Sequence, residues 1–240
     1  MFPLLTARGR LPSLDTSLET RLLRGSDALG LDCDAGQRQQ LLAYLQLLQK
    51  WNAAYNLTAV RDPAQMVTRH LLDSLAVAPY LPAGNAIDVG TGAGLPGVPL
   101  AILFPDRQFD LLDSNGKKTR FLFQVKTTLS LDNMQVHHQR VESFQPSRPY
   151  DVVLSRAYAS LREMVSSCRH LLAPEGRFLA MKGSLDSGEL EQVASSCEVL
   201  AVHSLAVPGL DEQRHLLEIA LRQVTTAQQH QAMGRTQNRG

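Results

Sequence analysis

The sequence predicts an α/β fold: a mostly parallel seven-stranded sheet with an antiparallel last strand, preceded by an N-terminal helical cap. Three observations carry this. After Asn85, short apolar runs alternate with helical patterns, which is the signature of βαβ units and a parallel sheet. The last two runs meet across Pro208-Gly209 with no helix between them, so they form an antiparallel pair. The first run, Ala86 to Val89, leads into Gly90-Thr91-Gly92-Ala93-Gly94. A glycine loop at the carboxyl end of a strand lets backbone approach a ligand.

The elements follow in order. Leu18, Leu22 and Leu23 suggest a short first helix. Leu41, Leu45, Leu48, Trp51 or Asn52, and Tyr55 recur at three- or four-residue steps, which predicts an amphipathic helix from about Gly36 to Ala54. Asp62 is a good N-cap with Pro63 at the first helical position. The helix it opens carries Met66, Val67, His70, Leu71 and Leu75 on one face and should stop near Pro79. Strands are expected at 86–89, 109–113, 134–137, 151–154, 177–181, 199–206 and 215–221, with helices at 98–104, 117–130, 161–172 and 187–196. Residues 1–82 are thus expected as the cap, 83–224 as the ligand-binding domain, and 225–240, rich in Gln, Thr and Arg, as a disordered tail.

Composition excludes several function classes. With 240 residues and 44% hydrophobic content, the chain can bury roughly 70 to 75% of its unfolded surface without a disulfide or metal. Cys33, Cys168 and Cys197 are odd in number and lack partners at metal spacing, which predicts buried thiols in a reducing compartment and no metal site. No apolar run nears the roughly 18 residues of a membrane span. Met1 to Pro12 lacks the basic start and apolar stretch of a signal peptide. The expected location is the cytoplasm, with no membrane partner. A net charge of +1 means that any RNA footprint must be a local patch.

Candidate site residues gather at strand ends. Gly90 is the first turn glycine, Gly92 follows, and Leu95 stands where a dinucleotide fingerprint would place its third glycine. That turn suits a nucleoside with an amino-acid chain better than a pyrophosphate. Asp113, ending the second strand, can accept both ribose hydroxyls of an adenosine or be simply solvated. Asp88 either holds a ligand's ammonium through water or caps the glycine loop. Val141 and Glu142 follow the third strand, where they can flank an adenine edge. The helix at 117–130 holds Lys117, Lys118, Arg120 and Lys126 with no acid. It is either a solvated face or a phosphate contact that gains counterion release. Arg156 follows the fourth strand and points a cation at the crevice, unless it pairs with Asp151 or Glu163. Arg140 and Arg214 can enter the same crevice or be plain surface arginines.

A parallel sheet closed by an antiparallel hairpin is the usual layout of methyltransferases that use S-adenosylmethionine (SAM), rather than of dehydrogenases. For such an enzyme the fourth strand end narrows the acceptor. Ser155-Arg156-Ala157-Tyr158 replaces the Asn/Asp-Pro-Pro-aromatic turn that orients exocyclic amines, and no cysteine lies near a strand end to add to pyrimidine C5. Guanine N7 has a free lone pair and needs neither device. No general base is expected, and proximity and orientation supply the catalysis. An arginine beside that guanine should donate to O6 or phosphate rather than to N7.

Lys50-Trp51-Asn52-Ala53-Ala54-Tyr55-Asn56-Leu57-Thr58, Arg69-His70-Leu71-Leu72-Asp73-Ser74-Leu75, Asp88 to Pro99, Leu111-Leu112-Asp113-Ser114 and Ser155-Arg156-Ala157 resemble the bacterial small-subunit rRNA guanine-N7 methyltransferases, the RsmG or GidB family. The resemblance covers about Leu41 to Leu221. It implies the SAM-dependent methyltransferase (Rossmann-like) fold and methyl transfer from SAM to N7 of one guanosine in the decoding-region loop of 16S rRNA. It also implies cofactor contacts at Gly90, Leu95, Val141, Glu142 and Arg156, and more loosely a basic rim of Arg140, Lys182 and Arg214 around the substrate. Positioning is therefore expected from Arg140, Arg156 and Arg214, and RNA contact from Lys117, Lys118 and Lys182. The substrate is expected to be 16S rRNA or a 30S particle, no protein partner is expected, and the protein is expected to be a monomer. Two other readings are a nicotinamide-dependent oxidoreductase and a non-catalytic rRNA-binding assembly factor. Calorimetry with both cofactors separates the first, and turnover separates the second.

Overall fold

The computed structural model describes residues 16–156, 158, 160–185 and 187–222. Residues 1–15 of the expected cap and the expected tail at 225–240 lie outside these described residues. Helix α1 spans Thr16–Ala28, with Leu22 and Gly25 buried against the rest of the fold. Leu23 instead faces outward. Helix α2 spans Ala35–Tyr55 and starts on a reciprocal cap, in which Asp34 accepts from the Gln37 amide and the Gln37 side chain accepts from the Asp34 amide. Its buried side is Leu41, Leu45, Leu48 and Asn52. The choice between Trp51 and Asn52 falls on Asn52, because its side-chain oxygen accepts the Thr58 amide at 2.9 Å.

Asp62 caps the next helix through the amides of Ala64 and Gln65, with Pro63 in the first turn. Helix α3 runs through Pro63–Met66, the wider π-helical turns of Val67–Leu72, and Asp73–Leu75. All five residues of its expected apolar face are buried. It ends before Pro79, which lies in a separate 3-10 turn, Ala78–Tyr80.

The strands are β1 (Ala86–Val89), β2 (Phe109–Asp113), β3 (Met134–His138), β4 (Tyr150–Ser155), β5 (Leu172–Lys182), β6 (Cys197–Ser204) and β7 (His215–Leu221). They form one sheet in the order β3-β2-β1-β4-β5-β7-β6. Only β7 runs against its neighbours, pairing antiparallel with both β5 and β6. Strand β5 starts at Leu172, ahead of the expected Arg177. Pro174 and Gly176 mask that stretch in the sequence, and it pairs through an irregularity between Tyr150 and Val152.

Helices α4 (Gly97–Leu103), α5 (Gly116–Leu129), α6 (Leu161–Cys168) and α7 (Ser187–Val193) fill the crossovers. Helix α6 is shorter than expected because Arg169–Leu171 tightens into a 3-10 turn.

Side chains alternate between the two faces of the sheet. Leu111, Val152, Leu154, Leu179 and Leu216 join one cluster with the buried leucines of α1 to α5. Ile87, Val153, Phe178, Leu217 and Ile219 join another with α6 and α7. Each fully buried leucine of these clusters contributes about 1.5–3 kcal/mol. The N-terminal helices therefore share a core with the sheet, and α2 also bonds to it directly. The Tyr44 hydroxyl donates to the Ala93 carbonyl of the glycine loop at 2.7 Å, and the side-chain amides of Gln37 and Gln40 donate to the carbonyls of Leu103 and Leu129.

All three cysteines are buried and unbridged. Cys197 opens β6, contrary to the expectation that no cysteine lies near a strand end, but it stands at the edge of the sheet opposite the glycine loop.

Candidate active site

The loop after β1 is built on backbone that only glycine adopts easily. Gly90, Gly92 and Gly94 have φ of 68°, 63° and 95°. The amides of Gly90 and Thr91 donate to the Leu112 carbonyl, and that of Gly92 to Asp113 Oδ2 at 2.9 Å.

Asp88 lies beneath this loop, 1% exposed. Its Oδ2 accepts from the Thr91 hydroxyl at 2.7 Å and the Gly97 amide at 2.9 Å, while Oδ1 is buried without a partner among the described residues. The two bonds to Oδ2 brace the loop from below, as the capping role expects. Burial pushes its carboxyl up to about 6 against the pull of those two hydrogen bonds. The Leu95 side chain is buried in the core, so any contact it makes with a ligand runs through its backbone.

A cavity of about 290 Å³ opens above the loop at the carboxyl ends of β1, β2 and β3, lined by Gly90, Asp113, Lys118, Arg140, Val141 and Glu142 among others. Asp113 is 7% exposed, so it is not the solvated strand-end aspartate of the bland expectation. Its oxygens accept the amides of Gly92 and Asn115. A carboxylate has about four lone-pair sites, which leaves room for a diol. Lys118 stands 3.7 Å from Asp113 and lines this cavity, with its side chain still 37% exposed. Lys117, at the start of α5, is exposed. Val141 and Glu142 are carried by a 3-10 turn, Val141–Ser143.

A second cavity, of about 360 Å³, lies between α3 and the strand ends of β4, β5 and β7, and contains His70, Asp73, Arg156, Lys182 and Arg214. The expected common crevice is therefore divided: Arg140 lines the first cavity, and Arg156 and Arg214 line the second. Arg156 pairs with neither Asp151 nor Glu163. Asp151 sits near the other end of β4, about 16 Å away along the strand, and accepts the Asn85 amide. Arg156 Nη1 instead donates to Asp73 Oδ2 at 3.2 Å and to the Arg69 carbonyl. Arg214 is no plain surface residue. Its Nε donates to Asp73 Oδ1 at 3.1 Å and its Nη2 to Glu212 at 2.9 Å. Lys182 is paired with Glu189 at 2.9 Å.

His70 is buried and meets the Thr58 hydroxyl at 2.9 Å. Burial lowers its imidazole to about 4, so it is neutral near pH 7. Sequence reasoning missed Asp73 as a site residue. Its signal was an acid inside the apolar run Leu71-Leu72-Asp73-Ser74-Leu75. Among the described residues, no group of three or more His, Cys, Asp or Glu is placed to hold a metal ion.

The family model of GidB, rRNA small subunit methyltransferase G, matches residues 37–217. The chain belongs to this family. A family relative, ribosomal RNA small subunit methyltransferase G of Pseudomonas aeruginosa strain LESB58, is 58% identical over 197 residues, which covers 82% of this chain and 92% of the relative. The protein of that name from Alteromonas mediterranea is 50% identical over 205 residues, covering 85% and 97%. Among solved structures, the glycopeptide N-methyltransferase MtfA complexed with SAM matches with a TM-score of 0.54 at 14% identity, over 64% of this chain and 95% of that one. A TehB-like SAM-dependent methyltransferase from Corynebacterium glutamicum gives 0.50 at 15% identity, over 75% and 98%. At these identities the likeness is one of fold, and it agrees with the methyltransferase layout expected from the strand pattern.

Proposed function

We propose that this protein transfers a methyl group from SAM to N7 of one guanosine in the decoding-region loop of 16S rRNA, acting as a cytoplasmic monomer on the RNA or a 30S particle. The observation that carries the reading is family membership over residues 37–217, together with relatives named for methyl transfer to small-subunit ribosomal RNA.

The first cavity has the chemistry for the cofactor. Asp113 would accept the ribose hydroxyls, Val141 and Glu142 would flank the adenine, and the side-chain-free turn at Gly90 would face the amino-acid chain. SAM supplies an electrophilic methyl on a sulfonium. Arg156, which the family resemblance also implies as a cofactor contact, lies in the second cavity with Arg214, where the pair would meet the acceptor guanosine at O6 or phosphate and leave N7 unblocked. Arg140, at the mouth of the first cavity, and Lys182, on the floor of the second, add positive charge toward the RNA backbone.

The choice of N7 rests on what each acceptor demands. Attack through pyrimidine C5 requires a thiolate, whereas burial pushes the Cys168 thiol up to about 11 and raises that of Cys33 as well. An exocyclic amine needs the orienting turn that Ser155-Arg156 replaces. N7 needs only alignment. Purified protein given labelled SAM and 16S rRNA or assembling 30S particles should place N7-methylguanosine at one position. Label in protein alone, or in another base, overturns the reading.

A further inference from the structure

Behind the two arginines of the second cavity stands a carboxylate that the chemistry above does not use. Asp73 lies in the last turn of α3 with a side-chain exposure of 4%, against 29% for Arg156 and 21% for Arg214. Its two oxygens are divided, one to each guanidinium, at 3.2 and 3.1 Å. The partners lie 83 and 141 positions away in the chain, so this one side chain ties the helical cap to the ends of β4 and β7. Arg214 is further fixed by Glu212, which also grips Arg69 at 2.6 Å. Two guanidinia repel each other and carry long side chains that lose freedom when a ligand orders them. A buried acid between them removes the repulsion and fixes both orientations before any substrate arrives. That kind of preorganisation favours a transition state over a ground state.

We propose that Asp73 is a positioning residue for the methyl acceptor, acting by holding Arg156 and Arg214 in the one arrangement that aligns the RNA. The inference rests on the RNA-methyltransferase reading above. Charge and orientation make opposite demands here, which gives the test its edge. Removing the carboxylate leaves the cavity more cationic, so RNA attraction persists while alignment is lost.

In Asp73→Asn, SAM should still bind by calorimetry with unchanged stoichiometry, because Asp73 does not line the first cavity. The kcat should fall about 100-fold, the scale expected of a small misplacement, while KM for rRNA stays level or drops. Asp73→Glu should restore part of kcat. Combining Asp73→Asn with Arg214→Gln should cost no more than the worse single change, since one residue acts through the other. Unchanged kcat, lost SAM binding or losses that multiply would each overturn the proposal. If Asp73→Asn does not fold, the Nη–Hη resonances of Arg156 and the Nε–Hε resonance of Arg214 in the RNA-free wild-type protein decide, since these are the groups that bond Asp73. Both should be distinct and protected from exchange, and averaged signals overturn the proposal. A wild-type protein that methylates no rRNA while keeping those protected signals would instead sink the functional reading.

Discussion

The buried carboxylate of Asp88 should make the stability of this fold depend on pH in a definite direction. In an unfolded chain an aspartate titrates near about 3.9, whereas burial under the glycine loop moves Asp88 to about 6. A raised folded value means that the native state keeps its proton over a range in which the unfolded chain has lost it. The stabilisation is complete below about pH 4, declines as pH rises, and is gone above about pH 6. The difference amounts to about 3 kcal/mol. Asp88→Asn removes the titration while its carbonyl can still accept from Thr91 and Gly97. Urea unfolding of both proteins from about pH 4 to about pH 8 should therefore show the wild type losing about 3 kcal/mol relative to the variant. Taking this difference removes Glu212, whose carboxyl Arg69 and then Arg214 hold below its usual range. That group acts with the opposite sign, stabilising above its unfolded value and less as pH falls. Parallel curves for the two proteins would refute the desolvation argument, and a relative gain by the wild type would mean that the two hydrogen bonds outweigh burial.

Three further outcomes follow from the same geometry. Gly90→Val, which puts a β-branched side chain at a φ of 68° beside the first cavity, should abolish binding of S-adenosylhomocysteine in calorimetry, and unchanged affinity would remove the loop from the site. Gly94→Ala should destabilise the protein by about 2–4 kcal/mol, because its new methyl would lie 2.5 Å from Val98 Cγ2 at a φ of 95°; a shift in denaturation midpoint worth under about 0.5 kcal/mol would contradict this. Lys117→Ala with Lys118→Ala should weaken rRNA binding and make its salt dependence shallower, and an unchanged slope would mean that both lysines are merely solvated.

Much of this fold was legible in the sequence because hydrophobic period is a local property. The glycine loop, the cap at Asp62 and the change from helical to βαβ pattern at Asn85 all depend on neighbours within a few positions. Strand ends were less legible, since a ladder ends where its partner does. Met134–His138 runs one residue beyond its apolar pattern because His138 still pairs with Asp113. In the site, the positions of Gly90, Asp113, Val141 and Glu142 followed from topology, because parallel crossovers bring strand ends to one edge. The partner of Arg156 did not follow. Nearby acids were the natural guess, yet the real one is on a different element and is reached only through the packing of α3 on the sheet.

That packing gives the helical cap a part in both halves of the site. The Tyr44 hydroxyl holds the glycine loop from the side of α2, while Asp88 braces it from within the sheet. Further along, Asn52 accepts the Thr58 amide, the Thr58 hydroxyl meets His70, and His70 lies in the π-helical part of α3, three positions before Asp73. The WNxxxNLT and RHLLDSL strings are thus two ends of one hydrogen-bonded strut whose far end carries the acid between the two arginines. Burial keeps His70 neutral, so it can join that strut without adding a third positive charge beside Arg156. A protonated imidazole there would oppose the guanidinium that Asp73 is placed to steady. This accounts for a buried histidine bonded to a hydroxyl where a carboxylate partner would have charged it.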